Sequence, residues 1–169
     1  EALKRGTSVY LIDRVIPMLP KKLSNGICSL NPNTDRLALS CLMEIDKNGK
    51  VVQHNIVESV IRSNERMTYT DVTKILRDKD AETMEKYGYL VDTFNLMEEL
   101  CKILNKKRMA RGAIDFDFPE CKISLDDLGV PIKIEPYERG ISNRIIEEFM
   151  LVCNETIAEH MFWTNLPFV

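Results

Sequence analysis

The sequence predicts one α+β domain, antiparallel β-hairpins packed with two long helices, and three observations predict it. The odd positions Leu37, Leu39, Cys41, Met43 and Ile45 are all apolar, a strict period of two, and Asn48-Gly49 follows. A second pair of strand-like stretches flanks Asp126-Asp127-Leu128-Gly129. Two longer segments carry their apolar residues at steps of three and four, the mark of a helix with one buried face. Hairpins combined with amphipathic helices make an α+β domain.

Taken in order, residues 7–12 (Thr-Ser-Val-Tyr-Leu-Ile) are β-branched and aromatic and predict a short strand. Pro17, Pro20 and the stretch Pro32 to Asp35 break and turn the chain. Leu37 to Ile45 is a half-buried strand, and Val51 to Ile61 its partner across the Asn48-Gly49 turn, where glycine tolerates φ > 0. Tyr69 to Leu76 predicts a short helix. A long one follows from about Ala81 to Met109, with Leu90, Phe94, Met97, Cys101 and Leu104 on one stripe and Gly112 as its stop. Glu120–Leu125 and Pro131–Tyr137 form the second hairpin. A last helix of about six turns has Ser142 as its expected N-cap and Ile145, Phe149, Val152 and Cys153 as its apolar face.

Composition excludes several classes. The 169 residues are 44% hydrophobic and 29% charged with 7 Gly and 7 Pro, which rules out disordered, collagenous and low-complexity chains. A domain of this length buries roughly 70% of its unfolded surface. No apolar run reaches the roughly 18 residues of a membrane span, and no signal-peptide pattern opens the chain. Cys28, Cys41, Cys101, Cys121 and Cys153 are scattered, with no CxxC and only two histidines, which argues against structural zinc. Reduced thiols in a cytoplasmic protein are expected. With a net charge of -3, any nucleic-acid binding must come from a local patch. Trp163, Leu166, Phe168 and Val169 cluster at the end, where polar residues are usual. The expectation is an excised piece with apolar surfaces open to self-association; the alternative is a tail docked on its own core.

Four features could carry chemistry. Lys102, Lys106, Lys107, Arg108 and Arg111 read either as cations at the negative end of a helix dipole or as a phosphate-contacting patch. Asp115, Phe116, Asp117, Phe118 and Glu120 alternate acid and aromatic; the acids could hold a divalent cation and the rings could stack bases. Core-facing phenylalanines and solvated aspartates are the plainer reading. On the last helix Asn143, Glu147, Met150 and Asn154 fall at i, i+4, i+7 and i+11, with Arg139 just before it. Asparagine is a poor helix former, so this polar stripe suggests a hydrogen-bonding groove. His54 and His160 have no nucleophile partner in sequence, and GxSxG, P-loop and GxGxxG motifs are absent.

Several blocks go further. Arg5-Gly6-Thr7-Ser8-Val9-Tyr10-Leu11, Ile16-Pro17-Met18-Leu19-Pro20, Leu23-Ser24-Asn25, Cys28-Ser29-Leu30 and Asp35-Arg36 come first. Arg66-Met67-Thr68-Tyr69, Arg111-Gly112-Ala113-Ile114-Asp115-Phe116 and Asn143-Arg144-Ile145-Ile146-Glu147-Glu148-Phe149-Met150, with Asn154, complete the series. Together they resemble the RNB catalytic domain of the RNase II / RNase R exoribonucleases, the bacterial RNase R branch above all. The resemblance runs in order over nearly the whole chain.

What the resemblance implies is processive 3′→5′ hydrolysis of single-stranded RNA to nucleoside 5′-monophosphates with Mg²⁺, the cation held by carboxylates. Terminal bases would stack between aromatic rings, and the family's clamp positions match Tyr10 and Phe116. The family's final-helix glutamate matches Glu147, with Glu148 as the open alternative. Arg139, Asn143 and Asn154 would line the RNA channel. The family's aspartate-rich metal motif lies upstream of the Arg5-Gly6 block, and its assisting arginine and glutamate lie downstream of Val169. The chain is therefore expected to be the central part of an RNB domain, without metal ligands and inactive alone. Two alternatives stand beside this: a noncatalytic RNA-binding or scaffold module, and a self-sufficient nuclease using Asp115, Asp117 and Glu120.

Overall fold

A computed structural model describes residues 2–115, 121–137, 139–165 and 167. The chain is α+β and divides into two units. The first comprises Glu1–Ala38, Val60–Arg66 and Asp117–Glu138, the second Leu39–Ser59, Met67–Phe116 and Arg139–Val169.

In the first unit a one-turn helix, α1 (Ala2–Arg5), precedes two very short strands, β1 (Val9–Tyr10) and β2 (Val15–Ile16). They pair antiparallel, Val9 with Ile16 and Tyr10 with Val15, so the strand expected over residues 7–12 shrinks to two residues. A π-helical turn, Lys22–Ile27, follows. Arg36 ties it down: its Nε donates to the Ser29 carbonyl at 2.9 Å and its Nη2 to the Gly26 carbonyl at 3.2 Å. The strands β5 (Cys121–Leu125) and β6 (Pro131–Pro136) form the second expected hairpin, with Ile123 opposite Ile134. Its turn closes because Asp126 Oδ1 accepts from the backbone N–H of both Leu128 and Val130, at 2.9 and 2.8 Å. No described residue of this unit is buried.

The second unit holds the core. Val72, Ile75, Leu76, Phe94, Cys101 and Ile145 form one buried cluster, and Met67, Tyr87, Leu90, Met97 and Phe149 pack against it. Helix α2 (Tyr69–Thr73) is capped by Thr68, whose side chain accepts from the Asp71 N–H, and runs into a π-helical turn, Lys74–Asp78. The single long helix expected from Ala81 is two helices, α3 (Ala81–Lys86) and α4 (Gly88–Ala110). The break falls at Tyr87 (φ -113, ψ 24). Tyr87 packs on the core cluster there, and Gly88 next to it adds the residue least willing to continue a helix short of proline. Beyond the break the predicted stripe is correct: Phe94, Cys101 and Leu104 are buried.

Strands β3 (Asp35–Ile45) and β4 (Val51–Arg62) pair as the first hairpin. Its even alternation does not translate into even burial. Leu37 and Leu39 are 86% and 70% exposed, whereas Cys41, Met43 and Ile45 are half-buried. At its tip Gly49 (φ 77) is buried with an ideal Cβ only 3.3 Å from Ile103 Cγ2, and its carbonyl accepts from Lys107 Nζ at 2.7 Å. The turn's positive φ therefore favours glycine, and a side chain there would also press on α4.

The final helix, α5 (Ile141–Thr164), starts two residues earlier than its expected cap permits. Gly140, not Ser142, is the N-cap, and the Asn143 carbonyl oxygen of the side chain accepts from the Gly140 N–H at 3.2 Å. Ser142 is 3% exposed inside the first turn, its hydroxyl 2.8 Å from that of Thr73 on α2. A buried partner on another helix outweighed local capping.

Candidate functional site

Two adjacent glutamates on α5 have opposite surroundings. The buried face of the helix is Ser142, Ile145, Glu148, Val152 and Thr156, so Glu148 falls on the core stripe at 3% exposure. Arg108 of α4 meets it with a fork: Nε donates to Oε1 at 3.0 Å and Nη2 to the same oxygen at 2.8 Å. Asn105 Nδ2 adds a third donor at 2.8 Å. Glu148 therefore has its charge paired and its oxygens satisfied, as a buried carboxylate must. The pair holds the Arg108 guanidinium protonated above its usual range, mainly through the hydrogen bond to Glu148.

Glu147, one position on, leaves the core stripe. Its Oε2 accepts from Arg139 Nη2, and its Oε1 lies 3.7 Å from Arg108 Nη2. Arg139 Nη1 also donates to Asp115 Oδ1 at 3.0 Å. Its hydrogen bond holds the Asp115 carboxyl below the usual carboxylate range, and the two acids push the Arg139 guanidinium up. The side chains of Arg139, Asp115 and Glu147 are 26%, 31% and 33% exposed, so solvent and ligands reach them. The result is a row of alternating charge, Glu148, Arg108, Glu147, Arg139, Asp115, buried at one end and open at the other.

The other predicted residues distribute unevenly. Asn143 is half-buried and engaged in the helix cap; Asn154 is exposed on α5, seven residues beyond Glu147 and thus about 10 Å along the axis. Tyr10, 78% exposed on β1, lines a cleft of about 440 Å³ in the first unit with Leu11, Ile12, Asp13, Leu125, Gly129 and Pro131. Phe116, Asp117, Phe118 and Glu120 lie outside the described residues.

Four cations of the basic run at the end of α4 find partners within the chain. Lys102 pairs with Glu98 at 2.7 Å, Lys107 binds the Gly49 carbonyl, Arg108 binds Glu148, and Arg111 binds Glu155. Lys107 and Arg108 are thus tied into the fold, whereas the pairs of Lys102 and Arg111 lie at the surface, their cations 67% and 54% exposed. The histidines, read as lone residues, face each other, His54 Nε2 lying 2.9 Å from His160 Nδ1. All five cysteines are free thiols.

A divalent cation does not fit the described residues. Among them no three His, Cys, Asp or Glu side chains come together as a ligand set, and the oxygens of Asp115 and Glu147 are turned to Arg139. No described helix is long and apolar enough to cross a membrane.

Sequence reasoning missed Arg108, Asn105 and Glu148 as a unit, though a signal existed. Arg108 stands four residues beyond Leu104, and Glu148 three beyond Ile145, each on a stripe otherwise apolar. A cation and an anion on two core stripes point to a buried pair between helices.

The mixed helices and antiparallel hairpins belong to a known class: the RNB domain sequence model matches residues 1–169, and the chain belongs to that family. Its relatives are more particular. The chain is 50% identical over its full length to Ribonuclease R 1 of Lactococcus lactis, of which it covers 21%, and 49% identical to Ribonuclease R of Thermotoga maritima, of which it covers 24%. Its fold is similar to Mycoplasma genitalium RNase R solved with ribose-methylated single-stranded RNA, with a TM-score of 0.87 and 31% identity. That match covers 98% of this chain and 26% of the other. The chain spans about a quarter of the length of these relatives.

Proposed function

We propose that the chain is the substrate-gripping central part of a cytoplasmic 3′→5′ exoribonuclease that degrades single-stranded RNA to nucleoside 5′-monophosphates. The observation that carries this reading is the family match across all 169 residues, with relatives named Ribonuclease R at about half identity. The RNA bound to the Mycoplasma genitalium protein supports the substrate, and five free thiols suit a reducing compartment.

Within this reading Tyr10 offers an exposed ring for base stacking, which is indifferent to sequence because every base has a π face. Phe116 is its counterpart by family position. Arg139, Asn143 and Asn154 supply polar contacts to the strand, Asn143 also fixing the start of α5, and Glu147 acts beside Arg139 in the exposed part of the charged row. Within the same reading Mg²⁺ is held by the family's aspartate-rich motif, which none of this chain's blocks matches, so the hydrolytic step is assigned to other parts of the protein and this chain alone is expected to be inactive. The exposed Leu37, Leu128, Ile132 and Ile134 favour self-association of the isolated chain.

The test is digestion of 5′-labelled single-stranded RNA by the longer protein carrying this chain, with and without Mg²⁺. Release of monophosphates from the 3′ end is expected. Tyr10→Ala should weaken end binding by about 1–3 kcal/mol, the scale of one lost stack. RNA bound but never cut would make the domain a noncatalytic scaffold, and no binding at all would end the proposal.

A further inference from the structure

Two arginines contact Glu147, and they differ in whether they can let go. Arg108 is fixed: its side chain is 13% exposed and its fork holds a carboxylate that is itself 3% exposed. Arg139 is open, with both its partners about one-third exposed. An ion pair so accessible contributes little and exchanges readily for another anion.

Its two carboxylates are not equivalent either. Glu147 sits on the rigid helix α5 and keeps Arg108 as a second cation at 3.7 Å. Asp115 lies outside helix and strand, three residues beyond Gly112 (φ 94), and holds Arg139 through one oxygen at 3.0 Å. Asp115 is therefore the partner that can leave while Glu147 stays.

Charge adds a reason for it to leave. The row contains three carboxylates (Glu148, Glu147, Asp115) and two guanidiniums (Arg108, Arg139), and Arg144 stands close enough to act on Asp115, so acids and cations balance. With the Asp115 carboxylate in place the set offers a phosphodiester no excess positive charge; without it the set is one positive with Arg139 uncovered. A guanidinium offers carboxylate and phosphate oxygens the same planar set of N–H donors, so one can stand in for the other.

We propose that in the RNA-free protein Asp115 occupies the place of an RNA phosphate on Arg139, and that the RNA backbone binds there by displacing it. The inference rests on the RNA-binding reading above and gives Arg139 a phosphate rather than a base as its ligand. Asp115 then sets the threshold for backbone binding, a weak internal competitor that selects polyanions able to supply further contacts.

The experiment measures anisotropy of a short fluorescein-labelled oligoadenylate with the full-length protein, in EDTA to prevent digestion. Asp115→Asn should tighten binding about two- to fivefold at low salt, the range an exposed ion pair spans. Arg139→Ala should weaken it and lower the salt slope by about 0.7, one phosphate contact on a single strand. The double variant should bind like Arg139→Ala alone, and Asp115→Glu, which restores the anion, should return toward the parent. A gain in affinity is not something a damaged fold produces. If Arg139→Ala weakens binding while Asp115→Asn leaves it unchanged or weaker, displacement is wrong and the RNA-binding reading survives. An Arg139→Ala variant indistinguishable from the parent also overturns the inference. Absence of binding by every form overturns both.

Discussion

Glu147 and Glu148 are chemically identical neighbours on one helix, yet one is structural and the other available. Glu148 projects into the α4–α5 contact, where Arg108 and Asn105 meet every demand of a buried anion. Glu147, turned about 100° around the axis, meets Arg139 at a surface that solvent reaches. The difference teaches that the residue type says little here and the helical phase decides. Of the two, Glu147 is the one a ligand can meet, which favours it as the proposed channel glutamate.

The contrast can be broken by substitution. The largest effect should come from Glu148→Ala, which strands Arg108 without its main counter-charge. Breaking a buried pair from one side costs about 3–5 kcal/mol, a large share of a domain's usual 5–15 kcal/mol, so the melting temperature should fall steeply. An unchanged melt would show that Arg108 never depended on Glu148.

An intermediate effect concerns Cys101, 2% exposed in the core, whose thiol is pushed up to about 11 by burial first and by Glu148 second. In the unfolded chain it ionises at its ordinary, lower value. As pH rises from about 9 to 11 the unfolded state therefore releases a proton the folded state keeps, and stability falls, by up to about 2–3 kcal/mol. Cys101→Ala should flatten that part of a pH–stability profile; an unaltered slope would assign the loss to other groups.

The smallest effect on stability belongs to Glu147→Gln. Its pair with Arg139 is half-open, so less than about 1 kcal/mol should be lost in denaturant unfolding. A loss as large as that of Glu148→Ala would erase the distinction between the two residues.

The two units show a parallel difference on a larger scale. The second has a buried cluster centred on Ile75 and Ile145, while the first has no buried described residue and leaves Leu128 89% exposed. Both hairpins were legible in sequence, since Asn48-Gly49 and Asp126–Gly129 specify turns locally. The stripe from Leu90 to Leu104 was equally legible, because helical periodicity records burial directly. The break at Tyr87 was not read, because Gly88 alone does not end a helix and the ring's packing on the core cluster is not written along the chain. Nor was the Gly140 cap, since Ser142 found its partner on α2. The partners of the basic run were illegible for the same reason: a list of cations does not reveal that Glu98, Gly49, Glu148 and Glu155 meet four of them.

By itself the sequence determined the α+β class, the hairpin turns, the helical stripes and, through its residue blocks, the RNB family. These depend on local dihedral preferences and on periodic burial, which are written along the chain. Only the tertiary structure decided which charges are spent and which remain open. That outcome depends on groups far apart in sequence meeting in space, where a carboxylate's surroundings, rather than its identity, fix whether it holds the fold or waits for a ligand.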